Sequence, residues 1–120
     1  MSEITLYATD RKGFFADVRS LAVALDRGER APAEPRIAFE GTETLLKVLT
    51  PNRWLLLRRL QSSGPNSIRA LAASLGRDYR GVHADVTALL EAGLIEKDEN
   101  AKVLVPWSKI TAEMDFEAAA

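Results

Sequence analysis

Basic side chains concentrate in the middle of this 120-residue sequence, where they could bind phosphate or read guanine. Residues 51–90 carry six basic and two acidic side chains, against seven and eight in residues 1–50 and three and seven in residues 91–120. All six are arginines, whose planar guanidinium forms paired hydrogen bonds to phosphate or to the edge of guanine. A solvated helical surface is the alternative explanation, because the whole chain has a formal net charge of −1.

The residues best suited to reading DNA fall on one side of a helix predicted over residues 78–92. At 100° per residue, its core side carries Val82, Val86 and Leu89. The opposite side carries Arg80, His83, Ala84 and Thr87. Arg80 suits guanine O6 and N7, while Ala84 and Thr87 are small enough to approach a thymine methyl group. His83 could donate to DNA or be simply solvated, and Gly81 predicts a close approach of the backbone to phosphate or to a neighbouring helix.

Two further candidates stand at the start of this helix. Arg77 could contact phosphate or pair with Asp78 or Asp85, and Tyr79 borders the core while its hydroxyl could bind phosphate. Asp85 lies near the buried side, so we expect it to pair with an arginine of one of the two preceding helices rather than to touch DNA.

Other candidates lie before and after this helix. Ser67 and Arg69 open the preceding helix, whose free N–H groups and positive dipole suit phosphate, although capping alone explains Ser67 equally well. A predicted hairpin after the helix offers backbone contacts through Lys97, Asn100 and Lys102. Its tip also carries Asp98 and Glu99, which phosphate would repel.

Capping residues delimit the elements that hold these side chains. Helix starts are predicted at Thr50-Pro51, Ser67 and Asp78, and helix ends at Gly64-Pro65, Gly76 and Gly93. The runs 94–97 and 102–105 then flank a polar segment and predict the hairpin. Trp54 and Trp107 are expected to anchor the core.

The first 49 residues predict an extension for dimerisation or for binding a partner, and residues 50–117 predict the DNA-binding domain. We expect an edge strand over 4–8, a helix from Phe14 to about Gly28, a strand over 36–40 and a short helix over 42–49. The first helix carries an apolar stripe that a small core need not bury, and we expect it to form a homodimer interface: Phe14, Val18, Leu21 and Leu25. Residues 110–116 have near-helical spacing, which predicts a short final helix or a contact with another subunit.

Several classes of function are not expected from this composition. With no cysteine and one histidine, the chain offers no thiolate chemistry and no ready metal site. There is no phosphate-binding glycine loop and no nucleophile with a companion base, so we expect neither an enzyme nor a cofactor. No apolar run approaches a membrane span and no signal-peptide pattern opens the chain, which favours a cytoplasmic protein without membrane contact.

The order of predicted elements is that of an α+β winged helix-turn-helix with an N-terminal strand-and-helix extension. The chain resembles the MarR/ArsR-like winged-helix transcriptional regulators over residues 45–105. The resemblance rests on L-T-x-x-R-x-x-L-L from Leu49 to Leu57 and on R-D-Y-x-x-V-H-x-D-V from Arg77 to Val86. Metal-sensing relatives use cysteine and histidine ligands, so metal sensing is not expected here.

The residues and the resemblance together predict a regulator that binds duplex DNA. We expect a homodimer that acts as a repressor or autoregulator of transcription, because one such module covers few base pairs. The alternative is a winged helix used for protein contact, since the net charge is slightly negative and the hairpin tip is acidic. The resemblance implies one form of it, because some members look like antitoxins that bind and neutralise a toxin.

Overall fold

The computed structural model describes residues 2–28, 35–116 and 118. Over these residues the chain is a mixed α and β protein. Its elements are β1 (Ser2–Thr9), α1 (Arg11–Asp26), β2 (Arg36–Glu40), α2 (Thr42–Val48), α3 (Pro51–Ser63), α4 (Ile68–Leu75), α5 (Tyr79–Ala92), β3 (Glu96–Lys97), β4 (Val103–Leu104) and β5 (Trp107–Glu113). They form two compact units, a helical unit (Val48–Trp107) and a sheet unit (Ser2–Lys47 with the described residues from Ser108 onward).

The sheet unit is built on three strands in the order β2-β1-β5. β1 and β2 are parallel, with Leu6 opposite Ile37 and Ala8 opposite Phe39. Alternation along β1 places Ile4 and Leu6 on the buried face, as the strand period of two requires. The expected edge position of the first strand is wrong, because strands pair with both of its sides.

The last strand also differs from the sequence prediction. Residues 107–113 form β5, whereas the sequence predicts a short helix over 110–116. The β-branched Ile110 and Thr111 favour an extended chain, and the free side of β1 supplies hydrogen-bond partners. Residues 108–116 therefore group with the N-terminal elements, whereas the sequence predicts one domain over residues 50–117.

Helix α1 ends close to the predicted Gly28 but begins at Arg11, three residues before the predicted Phe14. The Asp10 carboxylate accepts a hydrogen bond from the Gly13 amide at 2.6 Å, and the helix ends at Asp26. None of its described side chains is buried. The helix therefore leaves its apolar stripe open to solvent.

The helical unit has a continuous aliphatic core supplied by three helices and the hairpin. Its fully or nearly fully buried side chains are Leu56, Leu57, Leu60, Leu71, Ala72, Val82, Val86, Leu89, Leu94, Ile95 and Val103. The predicted caps are confirmed: Thr50, Ser67 and Asp78 each accept a hydrogen bond from a first-turn amide. Gly76 and Gly93 end α4 and α5 in the left-handed conformation.

The hairpin is joined to the segment that precedes α4. β3 and β4 pair antiparallel over Glu96–Leu104 and Lys97–Val103, a shorter ladder than the predicted runs. On the other side of Val103, the Asn66 amide donates to its carbonyl at 3.0 Å and the Val103 amide donates to the Asn66 carbonyl at 2.8 Å. These two hydrogen bonds fix the start of α4 against the hairpin.

Neither tryptophan is fully buried, although both were expected to anchor the core. Trp54 is 37% exposed, because Leu56, Leu57 and Leu60 already occupy the buried side of α3. Trp107 is half-buried, and its carbonyl accepts a hydrogen bond from Gln61 Nε2 at 2.9 Å. In the part of the chain that the structure describes, no helix has both the length and the apolar character needed to cross a membrane.

Candidate nucleic-acid interface

Helix α5 has one fully buried side and one side open to solvent. Val82, Val86 and Leu89 have no exposed surface, which holds the helix against the core of its unit. The predicted reading side is exposed at Arg80, His83, Ala84 and Thr87. The Thr87 hydroxyl donates to the His83 carbonyl at 2.9 Å, which leaves its methyl group and oxygen lone pairs available.

A cluster of one cation and two rings joins the starts of α4 and α5. The Arg69 guanidinium carbon lies 5.2 Å from the centre of the Tyr79 ring, and the Tyr79 and His83 ring centres are 5.8 Å apart. All three side chains are exposed, and Tyr79 keeps 42% of its surface accessible. This cation–aromatic cluster (Arg69, Tyr79 and His83) presents several hydrogen-bond donors on one surface.

A second charged group, which we call the Asp85 bridge, ties α5 to α3 and to the turn before α5. Arg53 Nε donates to Asp85 Oδ1 at 3.0 Å, and Arg77 Nη2 donates to Oδ2 at 2.8 Å. The three side chains are 14–26% exposed. Arg53 Nη1 also donates to the Val48 carbonyl at 3.1 Å. The predicted pairing of Asp85 with an arginine of an earlier helix is confirmed.

The same bridge explains Arg77, whose role the sequence leaves open. The sequence left Arg77 to contact phosphate or to pair with Asp78 or Asp85, and in the structure it forms an ion pair with Asp85. Nη1 of Arg77 is buried and has no hydrogen-bond partner among the described residues. A Cβ atom at Gly81 would stand 3.4 Å from Arg77 Nη2. This is an ordinary van der Waals distance, so an alanine would fit at position 81. The sequence predicts an arginine partner for Asp85 on an earlier helix without singling out Arg53.

The hairpin tip (residues 98–101) is organised by an acidic side chain. Asp98 Oδ1 accepts hydrogen bonds from the Asn100 amide at 2.8 Å and the Lys102 amide at 3.0 Å. The carboxylate that was expected to repel phosphate is therefore turned toward the backbone. Lys97, Asn100 and Lys102 are all exposed.

The structure thus brings together some of the predicted site residues. Arg69, Tyr79 and His83 meet in one cluster, and Arg80 is exposed on the same helix. Ser67 is exposed, and its hydroxyl accepts from the Ala70 amide at 3.0 Å. The described residues contain no group of three or more histidine, cysteine, aspartate or glutamate side chains able to hold a metal ion.

Comparison with known protein families identifies a family model that matches this chain. A family model described as HVO_A0114 matches residues 48–112, which include the helical unit and most of β5. No curated protein and no solved structure matches the chain.

Proposed function

The chain belongs to the HVO_A0114 family, and we propose that it is a sequence-specific regulator of transcription that binds duplex DNA. The observation that carries the proposal is the two-sided helix α5. Its core side is completely buried, whereas its outer side offers Arg80, His83, Ala84 and Thr87. A rigidly held helix with short and cationic outer residues is what entry into a major groove requires.

We further propose that residues 50–117 contain a winged helix-turn-helix of the MarR/ArsR type. Support comes from the order of α3, α4, α5 and a hairpin, together with the pairing of Asn66 with Val103. In this interpretation α5 is the recognition helix and the hairpin is the wing. The wing would reach the flanking DNA backbone through Lys97, Asn100 and Lys102.

The other side chains receive roles from their geometry. Arg80 reads guanine or binds phosphate, and Ala84 and Thr87 approach a thymine methyl group. The cation–aromatic cluster binds phosphate beside the groove, together with the start of α4 at Ser67. Arg77 acts through Asp85 as a positioning residue, because its guanidinium is already held by that carboxylate.

The regulator would act as a homodimer on two-fold symmetric sites. A single recognition helix covers only a few base pairs, so two copies give the length of sequence that a specific operator needs. The exposed apolar stripe of α1 is the proposed dimer surface. Two half-sites spaced by about one or more helical turns would follow from this arrangement.

The proposal is tested by fluorescence-anisotropy titration of a labelled duplex. The protein is titrated against DNA from upstream of its own coding sequence and against a scrambled duplex, at two salt concentrations. We expect selective binding to the upstream DNA that weakens as salt rises, because phosphate contacts release counterions. Equal, weak binding to both duplexes would contradict the proposal.

Arg80→Ala tests the reading role of α5 directly. We expect a loss of about 1–3 kcal/mol in specific binding without unfolding, because Arg80 is exposed and supports no core contact. Arg19→Ala is the matched control: it removes the same charge from an exposed position on α1. If both variants lose the same DNA affinity, Arg80 contributes only its charge and the reading role of α5 is contradicted.

A second candidate function is protein binding by the helical unit. It is favoured by Trp54 and Leu55, adjacent apolar residues of α3 that are 37% and 55% exposed. Tryptophan is enriched at the energetic centres of protein interfaces. The test is co-purification with the product of a neighbouring gene. A stoichiometric complex together with salt-independent, negligible DNA affinity would favour this function over the first.

A further inference from the structure

Helix α1 exposes an apolar stripe along its whole length. Phe14, Val18, Leu21 and Leu25 are 42%, 48%, 39% and 49% exposed. A helix of 16 residues gains little stability in water without tertiary packing, and an uncovered stripe of this length is typical of an interaction surface.

We infer that the stripe is covered by α1 of a second copy, with the two helices antiparallel. The four residues are spaced by four, three and four positions, a pattern that reads the same in both directions. In an antiparallel pair, Phe14 then faces Leu25 of the other copy and Val18 faces its Leu21. Such self-complementarity is what a two-fold interface demands.

The residues beside the stripe suit the same register. Phe15 lies opposite Ala22 of the other copy, so a large side chain meets a small one. Asp17 lies opposite Ala24, and no two like charges face each other across the seam. The antiparallel arrangement also sets the positive end of each helix dipole beside the negative end of the other.

The area that this pairing covers predicts a weak dimer. With the four stripe residues and Phe15 each about half exposed, two copies would bury on the order of 900 Å², just below the range of stable specific interfaces. We therefore expect dissociation in the micromolar range. The inference deepens the homodimer of the proposed function and does not depend on DNA binding.

Sedimentation velocity over a concentration series tests the surface. We expect the unaltered chain to dimerise, and Val18→Glu to weaken the dimer by about 100-fold or more, since it sets a carboxylate in the seam of both helices. Val23→Glu is the matched control, because Val23 is 44% exposed and points away from the stripe. Circular dichroism checks that both variants fold. A monomer at every concentration, or equal effects of the two variants, would overturn the inference.

Disulfide trapping tests the register, because the chain has no cysteine of its own. Phe14→Cys and Leu25→Cys are purified separately, mixed and oxidised. We expect the mixed dimer to cross-link and Phe14→Cys alone to remain uncrosslinked, because position 14 and its copy would be about 16 Å apart along the axis. Rapid cross-linking of Phe14→Cys alone would indicate parallel helices and overturn the inference.

These outcomes are separable from failure of the DNA-binding proposal. A dimer that survives Val18→Glu would refute the role of α1 while leaving a dimeric regulator possible. Titration of a single half-site reports DNA binding without dimerisation, and we expect Val18→Glu to leave that affinity unchanged.

Discussion

Replacement of Asp85 by asparagine removes the charge that holds two guanidinium groups together between α3 and α5. Asp85 is 14% exposed at its side chain, and Arg53 and Arg77 are 20% and 26% exposed. The asparagine side chain could still accept one hydrogen bond, but its NH₂ group would face the donors of the second arginine. The Asp85→Asn variant therefore removes the counter-charge from both partly buried guanidinium groups.

The expected cost follows from the number and burial of these contacts. Each hydrogen bond to a charged group contributes about 1.5–3 kcal/mol, and breaking a fully buried ion pair costs about 3–5 kcal/mol. Because the arginines keep some solvent contact, the loss should be smaller than for a fully buried ion pair. We expect about 2 kcal/mol in the free energy of unfolding. That loss corresponds to a fall in Tm of roughly 10 °C for a unit of this size.

Urea unfolding followed by circular dichroism at neutral pH measures the loss. Glu91→Gln is the matched control, because it neutralises an exposed carboxylate on the same helix and should change stability by less than about 0.5 kcal/mol. A second variant, Arg77→Met, allows a double-mutant cycle in which we expect a coupling of about 1–2 kcal/mol. Equal stability of Asp85→Asn and Glu91→Gln would refute the view that this bridge stabilises the position of α5.

Two further predictions concern residues with positive φ in the helical unit. Ala101 has φ of 60° at the hairpin tip, so Ala101→Gly should relieve backbone strain and raise the free energy of unfolding by up to about 1 kcal/mol, as measured by urea unfolding. Gly76 has φ of 64° and no atom within 4 Å of where its Cβ would lie, so Gly76→Ala should cost about 1 kcal/mol through the backbone alone. A stabilised Gly76→Ala, or a destabilised Ala101→Gly, would contradict this account of the two turns.

Much of the helical unit could be predicted because its signals are local. An N-cap side chain bonds to amides two or three residues away, so Thr50, Ser67 and Asp78 mark helix starts whatever surrounds them. Glycine at a left-handed position marks a helix end for an equally local reason. The helical period also shows which side of α5 must be buried, and the structure buries that side.

The sequence could not show which segments meet over long distances. Whether residues 107–113 continue as a helix or pair with β1 depends on a strand near the other end of the chain, and the tertiary structure decides for the strand. The exposure of Trp54 likewise depends on packing, because Leu56, Leu57 and Leu60 occupy the buried side of α3.

By itself, the sequence determined the boundaries of α3, α4 and α5, the buried side of α5 and the positive charge of the central segment. These follow from contacts within one or two helical turns. Only the tertiary structure decided that Arg53 joins Arg77 at Asp85, since Arg53 and Asp85 are 32 positions apart in the sequence. Without this bridge Arg77 could have pointed toward solvent, because the flexible arginine side chain can pair with any carboxylate or phosphate within its reach.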